Sequence, residues 1–345
     1  MSSLPALARG FRGRRGSALL IVALLLTVGL AGGGLVLDFT RLVSQRNSLQ
    51  SRLDALALAA ALELDGTQGG LIRARGAHQS AGGHSKVEFA TDAAGPWQEQ
   101  PMVAEAVRLV RIAGSAPATM TLMRAFVRQE ASTIWAVSTA EQRARTSSKD
   151  TLFPYSVIGA GSAPHFGLRV GARHTLRWAR QPSAGSGCEG DLDPAVIEAA
   201  AAEATQSGQA IQTSMTRLRD AILWDSQPGA WALGEPVNPL TEHSPAERPA
   251  LIERVNQDTD AASRTYGQYA AAGLGNGRRI VPAAIRSAAP NSRMVQIGAF
   301  LLPPADEYGS SSDQPLCAEY VGSYVQGGKR RGAGETGYYT VESVR

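Results

Sequence analysis

At 345 residues the chain has room for about two folded units, and 43% apolar against 19% charged residues excludes a wholly disordered polymer. The net charge is +4, and Arg9, Arg12, Arg14 and Arg15, which face no acid before Gly16, account for all of it. A nucleic-acid binder needs its basic excess on a folded face to neutralise phosphates, so that class is excluded, and Arg278-Arg279 and Lys329-Arg330-Arg331 read as solvated loop charge.

Ser17 to Leu37 holds no ionisable side chain, and at 1.5 Å per residue it reaches about 31 Å, against about 30 Å of hydrocarbon in a bilayer. The arginines before it predict a cytoplasmic tail over 1–16, a transmembrane helix over 17–37 and export of everything beyond Asp38. A cleaved secretory signal fits the same charges and the small residues Ala31, Gly32 and Gly33. Retention is favoured because the pattern continues. Leu35, Phe39, Leu42, Arg46, Leu49, Leu53, Leu56 and Ala60 recur at spacings of four and three, the stripe of a packed helix, which predicts a stalk over 38–64. Its partner is either a neighbouring helix or the chain's own domain. Gly29 and Gly33, four apart, would let another membrane helix approach closely.

Three features stand in order here: Asp38 closing the apolar span, the pair Leu49-Gln50, and Asp54 opening the alanine-rich run to Ala61. In that order they resemble the N-terminal region of the TadE/TadG-like proteins of the Flp (Tad, type IVc) pilus-assembly system. Arg52 and Leu53 replace the small residues usual in that family. Ile21 stands where pilin-like members carry a glutamate, so the resemblance implies an unprocessed, anchored assembly component. The segments 276–304, 317–328 and 337–345 are similar to the strand-rich C-terminal part of some of these proteins. The resemblance implies pilus-assembly or pilin-like subunits and the bacterial inner membrane as partners, with the body in the periplasm or at the cell surface. Leu35, Asp38, Phe39, Leu42, Leu49, Leu53 and Leu56 are the expected assembly contacts.

Residues 65–85, rich in glycine and small polar side chains, read as a linker. Beyond it, 86–345 alternates strand and helix patterns and predicts an α+β domain. Strands are expected near Lys86–Thr91, Ala106–Ile112, Thr133–Thr139, Arg279–Ile285, Met294–Leu302, Glu319–Val325 and Tyr338–Val344, with short ones in Leu152–Arg180. Helices are expected over Thr119–Val127, Asp193–Leu223 and Ser244–Ala271. Cys188 and Cys317, the only cysteines, lie on the exported side, where disulfides persist, and are expected to pair.

Chemistry has little support. His78, His84, His165, His174 and His243 match no zinc spacing. Ser162 lacks the flanking glycine of a nucleophile elbow. Gly273, Gly275 and Gly277 precede a strand, where a phosphate loop needs a helix. Asn256, Asp258 and Asp260 are followed by Ala261, where a calcium loop needs glycine. Glu189, Asp191 and Asp193, or Asp306 with Glu307, would need a spatial pairing that spacing does not supply. No cofactor, metal, small-molecule substrate or enzymatic activity is expected. The rival classes are a membrane-tethered periplasmic enzyme or ligand-binding protein, and a surface adhesin.

Overall fold

The computed structural model describes residues 12–79, 85–118, 132–148, 152–178, 187–191, 215–224, 231–237, 245–288, 292–309, 314–325, 329–331 and 338–344. The expected helix over Thr119–Val127, the pair Asp193-Pro194, His84 and His243 lie outside them. The chain is α+β: a long apolar helix precedes a body of mixed strands and helices.

Helix α1 runs Arg12–Leu62 and is long and apolar enough over Leu19–Leu62 to cross a membrane. Helix α2, Gln68–Gln79, occupies most of the segment expected as a glycine-rich linker. Two side chains start it. Asp65 accepts from the Thr67 amide at 2.9 Å, and the Thr67 hydroxyl accepts from the Gly70 amide at 3.1 Å, so amides left over at a helix N-terminus are satisfied despite the glycines. Arg73 then reaches back to Asp65 at 2.6 Å and Glu63 at 3.1 Å.

Two compact units follow from the contacts. The smaller holds α1 up to Ala55, residues 82–86, and 112–138. These last include the start of strand β1 (Ser85–Ala90), the end of β2 (Leu109–Ala118) and the start of β3 (Ser132–Arg145).

The larger unit is built on a ten-stranded sheet. To β1–β3 it adds β5 (Ser156–Ile158), β6 (Arg173–Arg177), β8 (Ile280–Arg286), β9 (Met294–Leu301), β10 (Leu316–Val325), β11 (Lys329–Arg331) and β12 (Tyr338–Val344). The order is β1-β2-β3-β12-β10-β9-β8-β5, with β6 and β11 also pairing β10. A separate two-stranded pair joins β4 (Ser147–Ser148) to β7 (Trp231–Ala232). Strand β8 is buried along its whole length, which accounts for its unbroken apolar reading rather than an alternating one.

Helices α3 (Met215–Trp224) and α4 (Glu247–Asn256) cover part of this sheet. Phe153, Leu218, Ile222, Leu251, Val255, Phe300 and Tyr320 form the main core between them. Arg254 of α4 donates to the Ile222 carbonyl at 2.7 Å, placing a cation on a carbonyl of the last turn of α3. The single helix expected over Ser244–Ala271 is instead two, α4 and α5 (Tyr266–Ala271). The break is chemical. Asp258 and Asp260 draw the following amides onto their carboxylates, at 2.9 Å for Asp260 and 3.1 Å for Ser263, and such local bonds compete with helix continuation. Thr265 then caps α5 by accepting from the Gln268 amide, while the Gln268 side chain accepts from the Arg264 amide at 2.8 Å, a variant of the reciprocal cap.

Candidate assembly interface

Two faces of α1 differ in what covers them. The face turned to the chain begins at Gly34 and Asp38 and continues through Leu53, Ala57, Ala60, Ala61 and Leu64, all buried. Leu42, Leu49 and Leu56 flank it, half-buried. Leu35 is 53% exposed and Phe39 65%. The expected contact stripe is therefore divided. Its four-and-three spacing averages 3.5 residues per turn, and against a real helix such a repeat drifts about 20° per heptad. Leu35 and Phe39 consequently stand one residue off the covered line at the apolar end.

Leu53 requires a correction: it serves the chain itself. A methyl group on Gly114 of β2 would meet the Leu53 side chain at 3.1 Å, so helix and strand touch where glycine permits it. Asp38 is 2% exposed, with Arg41 one turn away at 4.0 Å. Gln50 explains part of the N-terminal motif. Its amide donates to Asp54 at 2.8 Å and to the Val137 carbonyl of β3 at 3.0 Å, so the glutamine and aspartate of the motif cooperate to hold β3 against the helix. In the larger unit, fully buried Gln142 of β3 donates to the carbonyls of Ala61 at 2.6 Å and Leu64 at 2.7 Å, satisfying acceptors that a helix C-terminus leaves over. A buried glutamine within a strand gives no sequence signal of this role.

Gly29 and Gly33 both lie on exposed helix surface, and a methyl group on either would meet nothing within 4 Å. Cys188 and Cys317 form a disulfide with Cα atoms 5.9 Å apart. It fastens the segment 187–191 to β10, and the Cys188 amide donates to the Thr175 hydroxyl of β6 at 2.9 Å.

Several of the groups considered for chemistry are, among the described residues, engaged in holding the fold. His174 faces Asp191 through Nδ1 at 2.7 Å, and its Nε2 accepts the Arg169 amide at 3.1 Å. Both ring nitrogens are thereby occupied. Glu307 pairs with Arg173 and Arg264, and Asp306 with Arg264. Asp258 accepts from the Tyr269 hydroxyl at 2.8 Å and the Arg279 amide at 3.0 Å. Burial, then the bond to Asp258, pushes the Tyr269 phenol well up. Gly273, Gly275 and Gly277, all at positive φ, form the turn around that carboxylate. A groove of about 300 Å³ in the larger unit is lined by Phe89, Pro96, Met102, Val103, Val107 and neighbours, with no ionisable side chain among its described lining.

The covered and uncovered faces of α1 coincide with the segment that a family model recognises. Residues 16–63 match the family described as "Putative Flp pilus-assembly TadE/G-like". The N-terminal segment is thus similar to the TadE/G-like proteins of Flp pilus assembly. This TadE/G-like segment takes in α1 from Gly16 and ends one residue beyond it, and the family is one of pilus assembly rather than of enzymes. No curated protein and no solved structure matches the chain.

Proposed function

We propose that this chain is a membrane-anchored component of a Flp-type pilus assembly or secretion apparatus and works through contacts of α1 with pilus-assembly or pilin-like subunits. The observation that carries the reading is the uncovered side of the TadE/G-like helix: Gly29, Gly33, Leu35 and Phe39 all face outward. In a bilayer, association between helices comes from close packing at small residues. Gly29 and Gly33 suit that task, while Leu35 and Phe39, about a third of a turn round the helix, offer a separate contact nearer the water boundary. The span fixes the chain in the inner membrane with its basic tail in the cytoplasm, and the body stands in the periplasm or at the cell surface.

Co-purification from membranes tests this. Replacing Gly33→Leu and Phe39→Ala together should abolish recovery of other Flp pilus components with the full chain, while membrane location and far-ultraviolet circular dichroism stay unchanged. Undiminished recovery from correctly inserted variant would overturn the contact.

A further inference from the structure

The glycine turn between α5 and β8 holds a reactive pair of residues. Asn276 is exposed, and of the asparagines in the chain it alone is followed by glycine, Gly277. A side-chain amide is lost when the main-chain nitrogen of the next residue attacks its Cγ, and glycine, without a Cβ, screens that nitrogen least. Asparagine is correspondingly thermolabile. In the folded turn both reacting groups are engaged elsewhere. The Gly277 amide donates to the Tyr269 hydroxyl at 3.2 Å and to the Leu274 carbonyl at 3.2 Å. The Asn276 side chain is held at both ends: Nδ2 donates to the Gln257 carbonyl at 2.8 Å, and Oδ1 accepts from the Arg278 amide at 3.2 Å. Tyr269 is itself fixed, fully buried and bonded to Asp258 at 2.8 Å. Attack requires the Gly277 nitrogen to shed its hydrogen and the Asn276 side chain to release its amide, so these bonds must break first, through a local opening of the turn.

An acid does not suit the place that the amide occupies. Gln257 caps the C-terminus of α4, where the last carbonyls carry partial negative charge. Asp258 lies against the same residue, its Oδ1 accepting from the Asn276 main-chain amide at 3.3 Å. A carboxylate at position 276 would put an acceptor where a donor now meets the Gln257 carbonyl, and would set a second negative charge beside Asp258. Two acceptors face to face, with no proton between them, repel.

We infer that Asn276 is a site of spontaneous deamidation, held off by the folded turn, and that its conversion unlatches the turn from the end of α4. In the first step the Gly277 nitrogen bonds to Cγ and the Cγ–Nδ2 bond breaks. The leaving group takes the Gly277 proton and departs as ammonia. Water then opens the cyclic imide at either carbonyl, which gives aspartate or isoaspartate at position 276. The site is independent of what α1 contacts.

The test incubates the full chain in detergent at mildly alkaline pH, either folded or in guanidinium chloride, and maps its peptides by mass spectrometry. In denaturant, Asn276 should convert ahead of Asn47, Asn238, Asn256 and Asn291. In the folded chain its conversion should be at least about tenfold slower, the factor that about 1.4 kcal/mol of local opening supplies. Another asparagine converting first in denaturant overturns the site, and equal rates in the two states overturn the protection. Asn276→Asp tests the consequence. It should lower the melting temperature more than Asn276→Ala, which removes the same side-chain bonds without adding charge. An Asn276→Asp chain at least as stable as the Asn276→Ala chain overturns the unlatching.

Discussion

Leu53 and Gly114 form a contact whose two sides can be separated by mutation. Leu53→Ala removes a buried side chain and should cost about 2–5 kcal/mol. Gly114→Ala brings a methyl within 3.1 Å of the Leu53 side chain, so its effect should depend on whether Leu53 is present. The two changes together should cost less than their sum, the coupling expected of groups in contact. Thermal unfolding of the four proteins checks it, and strict additivity would sink the contact. His165 offers a second test. Its Nδ1 lies 3.1 Å from the Tyr320 hydroxyl, and burial holds its pKa below the ordinary 6.5. As pH falls below 6.5 the unfolded chain takes up this proton first. The contribution of His165 is therefore full above the unfolded value and lost as pH falls through the folded one. A proton titration followed by nuclear magnetic resonance should place the ring below 6.5; titration at or above that value would contradict the packing.

Among the elements, α1 shows what a repeat reveals and what it conceals. A helix with one packed stripe is legible because apolar side chains at spacings of three and four share a face. Which residues of the stripe meet the chain's own strands is not legible. Gly34, Asp38 and Ala57 are buried while Leu35 and Phe39 are open, the reverse of what side-chain hydrophobicity alone suggests. For Leu53 the outcome follows from the close approach of β2 at Gly114, and Gln50 ties the same helix to β3. Helix α2 was hidden by its glycines, although Asp65 and Thr67 carry the cap chemistry that starts it. The end of α1 gives a prediction at this scale. Gln142→Met should remove the side-chain donor of the Ala61 and Leu64 carbonyls, leaving Ala61 only the Leu64 amide at 3.3 Å, and cost about 1–3 kcal/mol. Amide exchange should speed up in the last turn of α1 and leave Leu19–Leu37 unaffected; uniform exchange along the helix would argue against a terminal clamp.

For the molecule as a whole, the disulfide is a long-range covalent constraint. Cys188 and Cys317 are 129 residues apart, and closing such a loop restricts the unfolded chain by about 5 kcal/mol on the entropic account. Cys188→Ser with Cys317→Ser should lower the melting temperature of the full chain substantially while leaving vesicle flotation unchanged. An unaltered melting temperature would mean that the bridge contributes nothing to holding 187–191 against β6 and β10. The buried pair Arg177 and Glu247, 2.8 Å apart, lies beside Tyr155, whose phenol is pushed up first by burial and then by the Glu247 charge. Removing either ion alone should be far more damaging than replacing both with apolar residues, since a lone buried charge has nothing to offset its lost hydration.

Composition, charge placement and residue periodicity determined the apolar helix, the α+β class and most of the strands, and the order of Asp38, Leu49-Gln50 and Asp54 carried the resemblance to pilus-assembly proteins. Each of these depends on near neighbours along the chain. Only the tertiary structure decided that the TadE/G-like helix spends Leu53, Ala57, Ala60 and Ala61 on its own chain and leaves Gly29, Gly33, Leu35 and Phe39 uncovered. It also decided that His174, Asp191, Asp258 and Glu307 serve the fold. Those assignments rest on approaches between residues tens to hundreds of positions apart. A side chain's type sets what it can bond or bury, but only the strand or helix brought against it settles whether that capacity is used inside the molecule or left for a partner.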